Sequence, residues 1–590
     1  MDPIKVDFSG KGKAKELLIP PEKAGLKIVI NIVLTVIVAV VGYYFLLPPM
    51  NLKAIEFYYY IALILAAYIG ATFITSKAFA KPEYIPYVKR RATVPVIIAL
   101  VFALILGVGY LTSCVLFRAK AYSKIINVSE TVFGDDASIT TISDIEDFKS
   151  VPLIDKDVAY NLGNKKLGEL SDWVSQFIID EPYSTQINYR GAPTRVLPLK
   201  YGDVFKWLNN RSSGIPAYIT VNMYTQDADA VIVEGGIKYS TSEYFNRKLM
   251  RVLRFAYPTY MFGSPSLEID EDGNPIWVCE RIDKTIGLIG GEDVIGLVTV
   301  DAVTGETTYY TLDEVRAADS PIAWVDQVYS ADLLIKQYNY YGKYINGFFN
   351  SFIGQSGVKI TTMGYSYLAN GDDVWMYTGV TSITNDDSII GFALINQRTK
   401  EAVFQKISGT TEAGAQSSAK GIVSDKGWDA TFPLLLNING QATYFMALKD
   451  SNVVKSYAMV SVERVQDAVR SPADDNPDLV ACLKSYESKL SSSGITLNFN
   501  YNGVTSDDEI IDSGSSENDI KLTGVVTDIR SAVVNGNTVY YIRLDGGSAY
   551  YSISAATEQT AVLVGVGSTV EVSFAASDAA IVSLKSLKIA

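Results

Sequence analysis

The sequence predicts a membrane-anchored α+β protein with three N-terminal transmembrane helices, a tandem antiparallel α+β ectodomain and a small C-terminal β-barrel. Three observations lead to this fold class: three long apolar runs without a charge before residue 118, repeated strand-turn-strand patterns between residues 240 and 450, and short strand patterns after residue 519. A chain of 590 residues is long enough to bury several hydrophobic cores. We therefore expect a membrane-bound part and a larger folded part outside the lipid.

The first predicted element is a three-helix anchor. Its apolar runs cover residues 28–47, 57–76 and 92–117, and each reaches the roughly 20 helical residues that a bilayer core requires. Buried helices of a soluble protein are the alternative, but three uncharged runs in close succession favour membrane spans. A cleavable signal peptide fits poorly because a polar lead precedes the first run and two more runs follow it.

Lysine and arginine residues predict how the anchor is oriented. The lead contains six lysines and the loop between the second and third runs contains five basic residues, whereas the loop between the first and second runs contains only Lys53. Basic residues accumulate on the cytoplasmic side, so we expect residues 1–27 in the cytoplasm and the chain after residue 117 outside a plasma (inner) membrane. Arg118, Lys120 and Lys124 oppose this orientation only weakly. Membrane lipid is therefore the first expected partner.

Net charge constrains the other partners. The chain has a formal net charge of -13, and the acidic excess lies after residue 117. Nucleic-acid binding relies on clustered lysine and arginine, so we exclude nucleic acid as a partner. A protein, or a second copy of the same chain in a homo-oligomer, is the expected class of partner.

Changes in composition divide the chain into segments. Residues 129–147 are rich in Asp and Ser, and residues 491–519 are rich in Gly, Ser, Asn and Asp, as in connecting segments. The predicted segments are a cytoplasmic lead (1–27), the three-helix anchor (28–117), a connector (118–150), a first α+β ectodomain (151–320), a second α+β ectodomain (321–490), a linker (491–519) and the β-barrel (520–590).

Helical patterns occur mainly in the first ectodomain. Apolar periodicity predicts helices near residues 155–179 and 203–210. A third helix is expected to begin at Ser240, because Ser240 and Glu243 have the spacing of a capping box and an apolar face follows them.

Antiparallel sheet is predicted from a series of hairpin patterns. Gly273, Gly305 and Gly440 each follow a turn-forming residue between apolar segments, and glycine adopts positive φ without a steric penalty. Residues 391–405 have the same layout without a glycine. The ectodomain is therefore expected to be built from antiparallel hairpins.

The segment 320–352 predicts a long aromatic helix. Ser320 is a suitable N-cap, and a proline follows it at the first helical position. Aromatic residues occupy nearly every face, so the helix must be covered by the core or by a partner. We prefer the core. The candidates for a partner-facing surface are Trp324, Tyr338, Tyr340, Tyr341 and Tyr344.

Residues 240–310 resemble a PepSY-type repeat. The stretch "TVDAVTGETTYY" looks like the end of such a repeat, whose strands run into a V-D-x-x-T-G-E turn, and "EIDEDGNPIWV" is similar to the strand pair that precedes it. The resemblance implies a small PepSY-like α+β module outside a bacterial membrane, where some such modules inhibit or regulate proteases. It brings no catalytic residue.

The C-terminal segment resembles an OB-fold. A helix-like stretch, 555–563, lies between the third and fourth of five strand patterns, as in an OB-like barrel, and a small β-sandwich is the alternative. The segment lacks a basic groove with stacking aromatics, so contact with protein rather than with single-stranded nucleic acid is expected. The strand patterns cover residues 521–530, 538–544, 548–554, 569–574 and 580–589.

The absence of histidine limits catalytic chemistry. It removes Ser-His-Asp and Cys-His arrangements and histidine-ligated zinc. Asp270 and Asp272 are candidate Ca²⁺ ligands, although they lack the full twelve-residue loop spacing and we prefer to interpret them as turn residues on a solvated surface. We expect no catalytic residue and no cofactor.

The three cysteines allow two kinds of modification. "LTSC" at 111–114 resembles a bacterial lipobox, which makes Cys114 a lipidation candidate, although a helix end is the alternative that we prefer. Cys279 and Cys482 could form a disulfide in an oxidising compartment, but two buried free thiols are the preferred interpretation.

Two classes of function fit these observations. We favour a non-catalytic cell-envelope scaffold or interaction protein, whose acidic, tyrosine-rich ectodomain binds proteins or assembles with copies of itself. The alternative is a carboxylate-dependent hydrolase of cell-wall glycans, for which Asp180 and Glu181 are examples of candidate carboxylates. The PepSY resemblance implies a further alternative, a regulator of an extracytoplasmic protease.

Overall fold

The chain is a mixed α+β protein that divides into two compact units, Met1–Asn502 and Gly503–Ala590. The predicted fold class is confirmed at this level. Most of the predicted lead and linker lie outside the described residues. The computed structural model describes residues 19–135, 139–317, 319–371, 373–383, 388–474, 476–501, 520–534, 537–547, 549–554, 559–574, 581–584 and 586–589.

Three long helices open the first unit: α1 (Ala24–Leu46), α2 (Ile55–Thr75) and α3 (Ile85–Ser113). Each is long and apolar enough to cross a membrane, as the sequence predicts. The shorter helices are α4 (Val115–Tyr122), α5 (Lys156–Glu169), α6 (Ser171–Val174), α7 (Val204–Asn210), α8 (Leu249–Ala256), α9 (Leu312–Arg316), α10 (Ala331–Tyr344), α11 (Glu412–Gly421) and α12 (Leu479–Ser492).

A buried polar group joins the first two long helices. Asn31 of α1 donates from Nδ2 to Thr72 Oγ1 of α2 at 3.1 Å, and its Oδ1 accepts from Thr75 Oγ1 at 2.8 Å. In an apolar surrounding such a group is stable only when it is paired. These bonds therefore fix the register of α1 against α2.

The rest of the first unit, residues 123–501, is the globular part. Its strands are β1 (Val128–Val132), β2 (Thr141–Ile142), β3 (Phe177–Ile179), β4 (Thr185–Tyr189), β5 (Ala192–Leu197), β6 (Leu199–Tyr201), β7 (Ile215–Asn222), β8 (Ala228–Ile237), β9 (Met261–Phe262), β10 (Ser266–Ile269), β11 (Pro275–Ile286), β12 (Gly290–Asp301), β13 (Thr307–Thr311), β14 (Lys359–Thr361), β15 (Ser366–Asn370), β16 (Asp373–Ser382), β17 (Ser388–Asn396), β18 (Ala402–Thr410), β19 (Asp429–Ala430), β20 (Leu434–Ile438), β21 (Gln441–Asp450), β22 (Val453–Ser461) and β23 (Ala468–Arg470).

These strands form mainly antiparallel sheets. The orders are β4-β5-β7-β8, β10-β11-β12-β13 with β9 on β11, β1-β18-β17-β16-β14 with β15 on β16, and β2-β20-β21-β22-β23 with β19 on β21, and β3 pairs β6. The predicted hairpins at Gly273, Gly305 and Gly440, and the one within 391–405, are all confirmed. The glycines have φ of +84°, +78° and +87°, which a side chain would strain.

One hydrophobic core extends across both predicted ectodomains. A single cluster of buried side chains contains Leu197 and Trp277 from the first predicted ectodomain and Phe392 and Tyr444 from the second. The predicted connector contributes β1 and β2, which pair in parallel with β18 and β20. The globular part is therefore formed by segments that are distant in sequence.

Of two helix predictions in the first ectodomain, one is confirmed and the other is only partly correct. The helix at 203–210 is confirmed as α7, and Asp203 caps it by accepting from the Phe205 and Lys206 amides at 2.8 and 2.9 Å. The pattern over 155–179 forms α5 and α6, but its last residues belong to β3.

The helix predicted to begin at Ser240 begins nine residues later, at Leu249. The carboxylate of Glu243 does not close a capping box. It accepts from Tyr201 Oη at 2.7 Å and from Trp207 Nε1 at 2.8 Å. Two tertiary hydrogen bonds in a buried place thus outweigh the local capping signal.

The aromatic helix predicted over 320–352 is shorter, because α10 begins only at Ala331. Carboxylates of the neighbouring sheet hold the preceding residues outside a helix. The Asp326 amide donates to Glu268 Oε2 at 3.0 Å, and the Ser330 amide donates to Glu280 Oε1 at 2.5 Å. Both carboxylates are buried, so the pairing of these amides is strongly favoured.

The globular part is fixed to the three apolar helices by a set of polar contacts that we call the junction. Arg251 and Arg254 of α8 donate from Nε to the carbonyls of Tyr44 and Leu47, at the end of α1, at 3.2 and 3.0 Å. The Ile289 amide at the tip of the β11–β12 hairpin donates to Ser113 Oγ of α3 at 3.0 Å. Together these hydrogen bonds hold the ends of α1 and α3 against the globular part.

A salt bridge and a glycine complete the junction. Lys53, in the loop between α1 and α2, forms a salt bridge with Asp283 of β11 at 2.7 Å. The hairpin tip reaches α3 only because Gly290 has no side chain, since a Cβ there would lie 2.9 Å from Ser113 Cβ.

The second unit is a six-stranded sheet. Five strands are predicted and are found, with the last one divided in two, and a 3-10 turn (Gln559–Leu563) lies within the predicted helix-like stretch. The sheet order is β28-β26-β25-β24-β27-β29, so the two edge strands are consecutive in the chain. The strands are β24 (Ile520–Val534), β25 (Asn537–Leu544), β26 (Tyr550–Ser554), β27 (Thr569–Phe574), β28 (Ile581–Ser583) and β29 (Ser586–Ile589).

Candidate functional site

A cleft of about 1060 Å³ opens where three sheets of the globular part come together. Residues of β4 and β5 line it on one sheet, residues of β15 on the second and residues of β20 and β21 on the third, together with α11 and residues 152–157. Both predicted ectodomains contribute to this lining, so the cleft is a property of the shared fold. A concave space of this size is a candidate binding site.

Arg195 is the distinctive group of the cleft. Its Nη2 donates to Ser184 Oγ at 2.9 Å and to the Ser184 carbonyl at 3.4 Å, whereas its buried Nε has no hydrogen-bond partner among the described residues. Within that part of the chain, Arg195 forms no ion pair. Burial lowers the pKa of Arg195, so its positive charge is held in a place that solvates it poorly.

The backbone holds Arg195 firmly. It lies on β5, a central strand, where it is paired with Gln186 of β4 and with Val221 of β7. The next two residues, Val196 and Leu197, are fully buried. The side chain therefore projects from a rigid scaffold, as a preorganised binding group requires.

Two tyrosines stand beside the guanidinium. Tyr365 and Tyr367 line the same cleft, and their rings meet edge to face with centroids 5.7 Å apart. Burial raises the pKa of both hydroxyls, so they remain neutral hydrogen-bond donors. The two hydroxyls hydrogen-bond each other, so Arg195 and one hydroxyl proton can donate to an anionic group.

Two lysines of the cleft are neutralised by carboxylates. Lys449 forms ion pairs with Asp155 at 2.6 Å and with Asp157 at 3.7 Å, and Lys420 forms one with Asp429 at 2.8 Å. Among the described residues Arg195 differs from both lysines in forming no ion pair, and it differs from Lys156, the fourth basic residue of the lining, in being half-buried where Lys156 is exposed. The delocalised, planar group of Arg195 suits a carboxylate, which it can bind with two parallel hydrogen bonds.

The five aromatic residues predicted for a partner-facing surface differ in how deeply they are buried. Tyr338 is fully buried and belongs to the core, so it is not available to a partner as a surface residue. Trp324 and Tyr341 are half-buried and pack against the same core cluster. Tyr340 and Tyr344 are half-buried too, and they stack on each other with centroids 6.2 Å apart.

The candidate calcium ligands are turn residues. Asp270 Oδ1 accepts from the Asp272 and Asn274 amides at 3.0 and 2.8 Å, and its Oδ2 accepts from Asn274 Nδ2 at 2.8 Å. Its oxygens therefore cap the β10–β11 turn. Among the described residues, no group of three Asp, Glu or Cys is arranged to hold a metal ion.

The cysteines are free thiols in the structure. Cys279 and Cys482 are buried and unbonded, which confirms the preferred interpretation, and burial raises the pKa of Cys482 to about 12. Cys114 is half-buried and separates α3 from α4. Its lipidation stays a prediction.

Sequence patterns alone did not single out Arg195. The stretch "APTRVLPL" contains one charge among residues of β-strand character, and a charge inside such a strand is an available signal. The approach of β15 and α11, which lie more than 160 residues further along the chain, was not visible in the sequence.

Comparison with family models, with curated proteins and with solved structures finds no match to the chain.

Proposed function

We propose that this chain is a non-catalytic, membrane-anchored protein of the bacterial cell envelope that binds a polypeptide partner through a carboxylate. The observation that carries the proposal is Arg195, a half-buried arginine in an open cleft of about 1060 Å³, whose buried Nε has no hydrogen-bond partner and which forms no ion pair among the described residues. The partner supplies the missing negative charge. The cleft is large enough for an extended peptide segment, either of another protein or of a second copy of this acidic chain.

The location of the cleft follows from the orientation that we propose for the anchor. Three spans place the two ends of the anchor on opposite sides, and the basic residues before α1 and between α2 and α3 favour a cytoplasmic N-terminus in the plasma (inner) membrane. The globular part and its cleft then face the outside of the cell.

Binding is favoured over glycan hydrolysis by the state of the carboxylates. Asp180 is buried and engaged with Lys200 at 3.0 Å and Thr241 at 2.5 Å, whereas its neighbour Glu181 lines the cleft. Asp155 and Asp157 are paired with Lys449. A glycosidase needs two carboxylates that face the substrate, one of them protonated.

The two resemblances are compatible with a binding role. In the PepSY-like segment, α8 is followed by the meander of β10 to β13, and a regulator of an extracytoplasmic protease would use the same carboxylate recognition. In the second unit, the parallel pairing of β26 with β28 and the antiparallel pairing of β27 with β29 support an OB-like arrangement. We propose protein contact as the role of both.

A photo-crosslinking experiment tests the binding site in cells. The full chain carries benzoylphenylalanine at Phe432, which lines the cleft, or at Val453, an exposed residue outside its lining. We expect an adduct of defined mass from position 432 that is lost on Arg195→Met. The matched control is Arg190→Met, which changes an exposed arginine of the same hairpin.

The mass of the adduct identifies a second copy or a different protein. Equal adducts from positions 432 and 453, or adducts that survive Arg195→Met, would contradict the proposal. Release of soluble fragments from purified cell wall by the full chain would support the hydrolase instead.

Protease digestion of intact cells tests the orientation. We expect external protease to remove the globular part and to spare a tag fused to Met1. The opposite pattern would place the cleft in the cytoplasm.

A further inference from the structure

The globular part has few exposed phenylalanine side chains among its described residues, and they fall into two groups. Among the described residues of 123–501, five phenylalanine side chains are exposed, by between 48% and 70%. We call these five residues the aromatic rim. Large exposed apolar side chains mark surfaces that are covered by something else. The rim consists of Phe205, Phe245, Phe255, Phe349 and Phe352.

The first part of the rim is connected to the end of α1. Phe255 of α8 contacts Tyr43 and Tyr44 of α1, with ring centroids 5.9 and 6.2 Å apart. Arg251 donates both to the Tyr44 carbonyl and to the Phe245 carbonyl, so a single guanidinium separates Phe245 from the last turn of α1.

The same group extends to α7. The ring of Phe245 lies 5.8 Å from that of Trp207, and Phe205 is on the same short helix as Trp207. Val204 and Leu208 of this helix are also exposed. An apolar surface therefore continues outward from the end of α1.

The second part of the rim is connected to the end of α3. Tyr122 Oη donates to the carbonyl of Ser113, the last residue of α3, at 2.8 Å, and its ring lies 4.8 Å from that of Tyr340. Tyr340 stacks on Tyr344 and Tyr344 on Phe348, at 6.2 and 6.4 Å.

This ladder of rings ends at the exposed side chains. Phe348 lies 5.6 Å from Phe349 and 5.5 Å from Phe352, and Ile353 beside them is 72% exposed. On α4, which follows α3 after Cys114 alone, Leu116 and Phe117 are exposed as well. The second apolar surface thus continues from the end of α3.

We infer that the aromatic rim inserts into the boundary between headgroups and acyl chains of the bilayer that α1, α2 and α3 span. Both parts of the rim are continuous with the ends of spanning helices, and aromatic side chains are enriched at that depth of a membrane. Arg118, Lys120 and Lys124 are exposed beside the second part and suit the anionic headgroups of the same leaflet. The globular part therefore rests on the lipid surface.

Spin labels at single cysteines test this inference in the full chain, reconstituted in nanodiscs that hold one copy and contain phosphatidylglycerol. Labels replace Phe245, Phe349 or Phe352, with Val453 as an exposed control position outside the rim. The background is Cys114→Ser, because Cys279 and Cys482 are buried. Collision rates with oxygen and with a nickel chelate report the surroundings of each label.

We expect the rim labels to collide more often with oxygen than with the chelate and the Val453 label to show the reverse, so that the depth parameter changes sign between them. Rim labels that match Val453 would overturn the inference in favour of a water-exposed rim. Rim labels shielded from both reagents would overturn it in favour of cover by protein. An unchanged elution volume in each labelled variant shows that the fold is retained.

Discussion

Within the described part of the chain, the junction and the cleft each contain an arginine without a carboxylate partner, and the two differ in how many backbone carbonyls accept hydrogen bonds from them. Arg254, at the junction, donates to four backbone carbonyls, those of Leu47, Tyr257, Pro258 and Tyr260. Arg195, in the cleft, bonds to Ser184 alone among the described residues, and its buried Nε has no partner there.

This difference separates a structural cation from one that is available to a ligand. A buried charged group is stable when dipoles of the protein replace its hydration, as the carbonyls do for Arg254. Arg195 lacks that replacement. Under the function that we propose, a ligand completes the hydrogen bonds of Arg195.

The largest expected effect comes from Arg254→Met. The substitution leaves several buried carbonyls at the end of α1 and after α8 without a donor, so we expect the free energy of unfolding to fall by about 4 kcal/mol. Urea unfolding of the full chain in detergent, followed by tryptophan fluorescence, measures it. Arg190→Met, at an exposed residue, is the control and should change the value by less than about 0.5 kcal/mol.

Two buried carboxylates make the stability of the fold depend on pH. Burial raises the pKa of Glu268 and of Glu280 to about 7, although each accepts backbone hydrogen bonds. Between the ordinary range and pH 7 the folded state holds more protons than the unfolded state, so stability falls as pH rises through that window and stays low above it.

Glu268→Gln replaces one of these carboxyl groups with a neutral amide that does not titrate. We expect the variant to gain up to about 3 kcal/mol of stability at pH 8 relative to pH 5, compared with the unmodified chain. Urea midpoints at the two pH values measure the change. Glu314 is a contrasting site, because bonds from the Thr311 amide and hydroxyl lower its pKa, so Glu314→Gln should not add stability at pH 8.

Arg195→Met should act in the direction opposite to Arg254→Met. Since it removes a poorly solvated charge that forms no ion pair among the described residues, and keeps an apolar stem, we expect the free energy of unfolding to rise by about 2 kcal/mol. Loss of stability instead would mean that the guanidinium is satisfied within the fold and would weaken the case for a ligand. The same urea experiment gives the answer.

The smallest effect is expected for Tyr122→Phe at the junction. The substitution removes the hydroxyl that donates to the Ser113 carbonyl but keeps the ring, so a loss of about 1 kcal/mol is expected. Tyr340→Phe keeps the neighbouring ring stack without removing that bond and is the matched control. Equal losses in both variants would show that ring packing, and not the hydrogen bond, holds α4 to α3.

Local patterns in the sequence predicted the elements that depend on local energetics. The apolar helices follow from run length, α7 from its helical pattern, and the hairpins from glycines that adopt positive φ. Each of these signals lies within one continuous segment of the chain, and tertiary contacts do not oppose it.

Sequence reasoning failed where a distant side chain overrides a local preference. Glu243 bonds to Tyr201 and Trp207 instead of capping a helix, and Glu268 and Glu280 hold the residues before α10 in a non-helical conformation. The sequence did not predict the candidate site for the same reason, because the strands and helices that form the cleft around Arg195 come together only in the folded chain.

The hydrogen bonds between α8 and the end of α1 have a mechanical consequence. Arg251 and Arg254 bind carbonyls of the last turn of α1 and of the residue that follows it, while Leu249 and Leu253 of the same short helix are fully buried in the large core. If α1 spans a bilayer, as we propose, it cannot tilt to match a thinner one without pulling on α8. The thickness of that bilayer would then act as a mechanical load on the globular part.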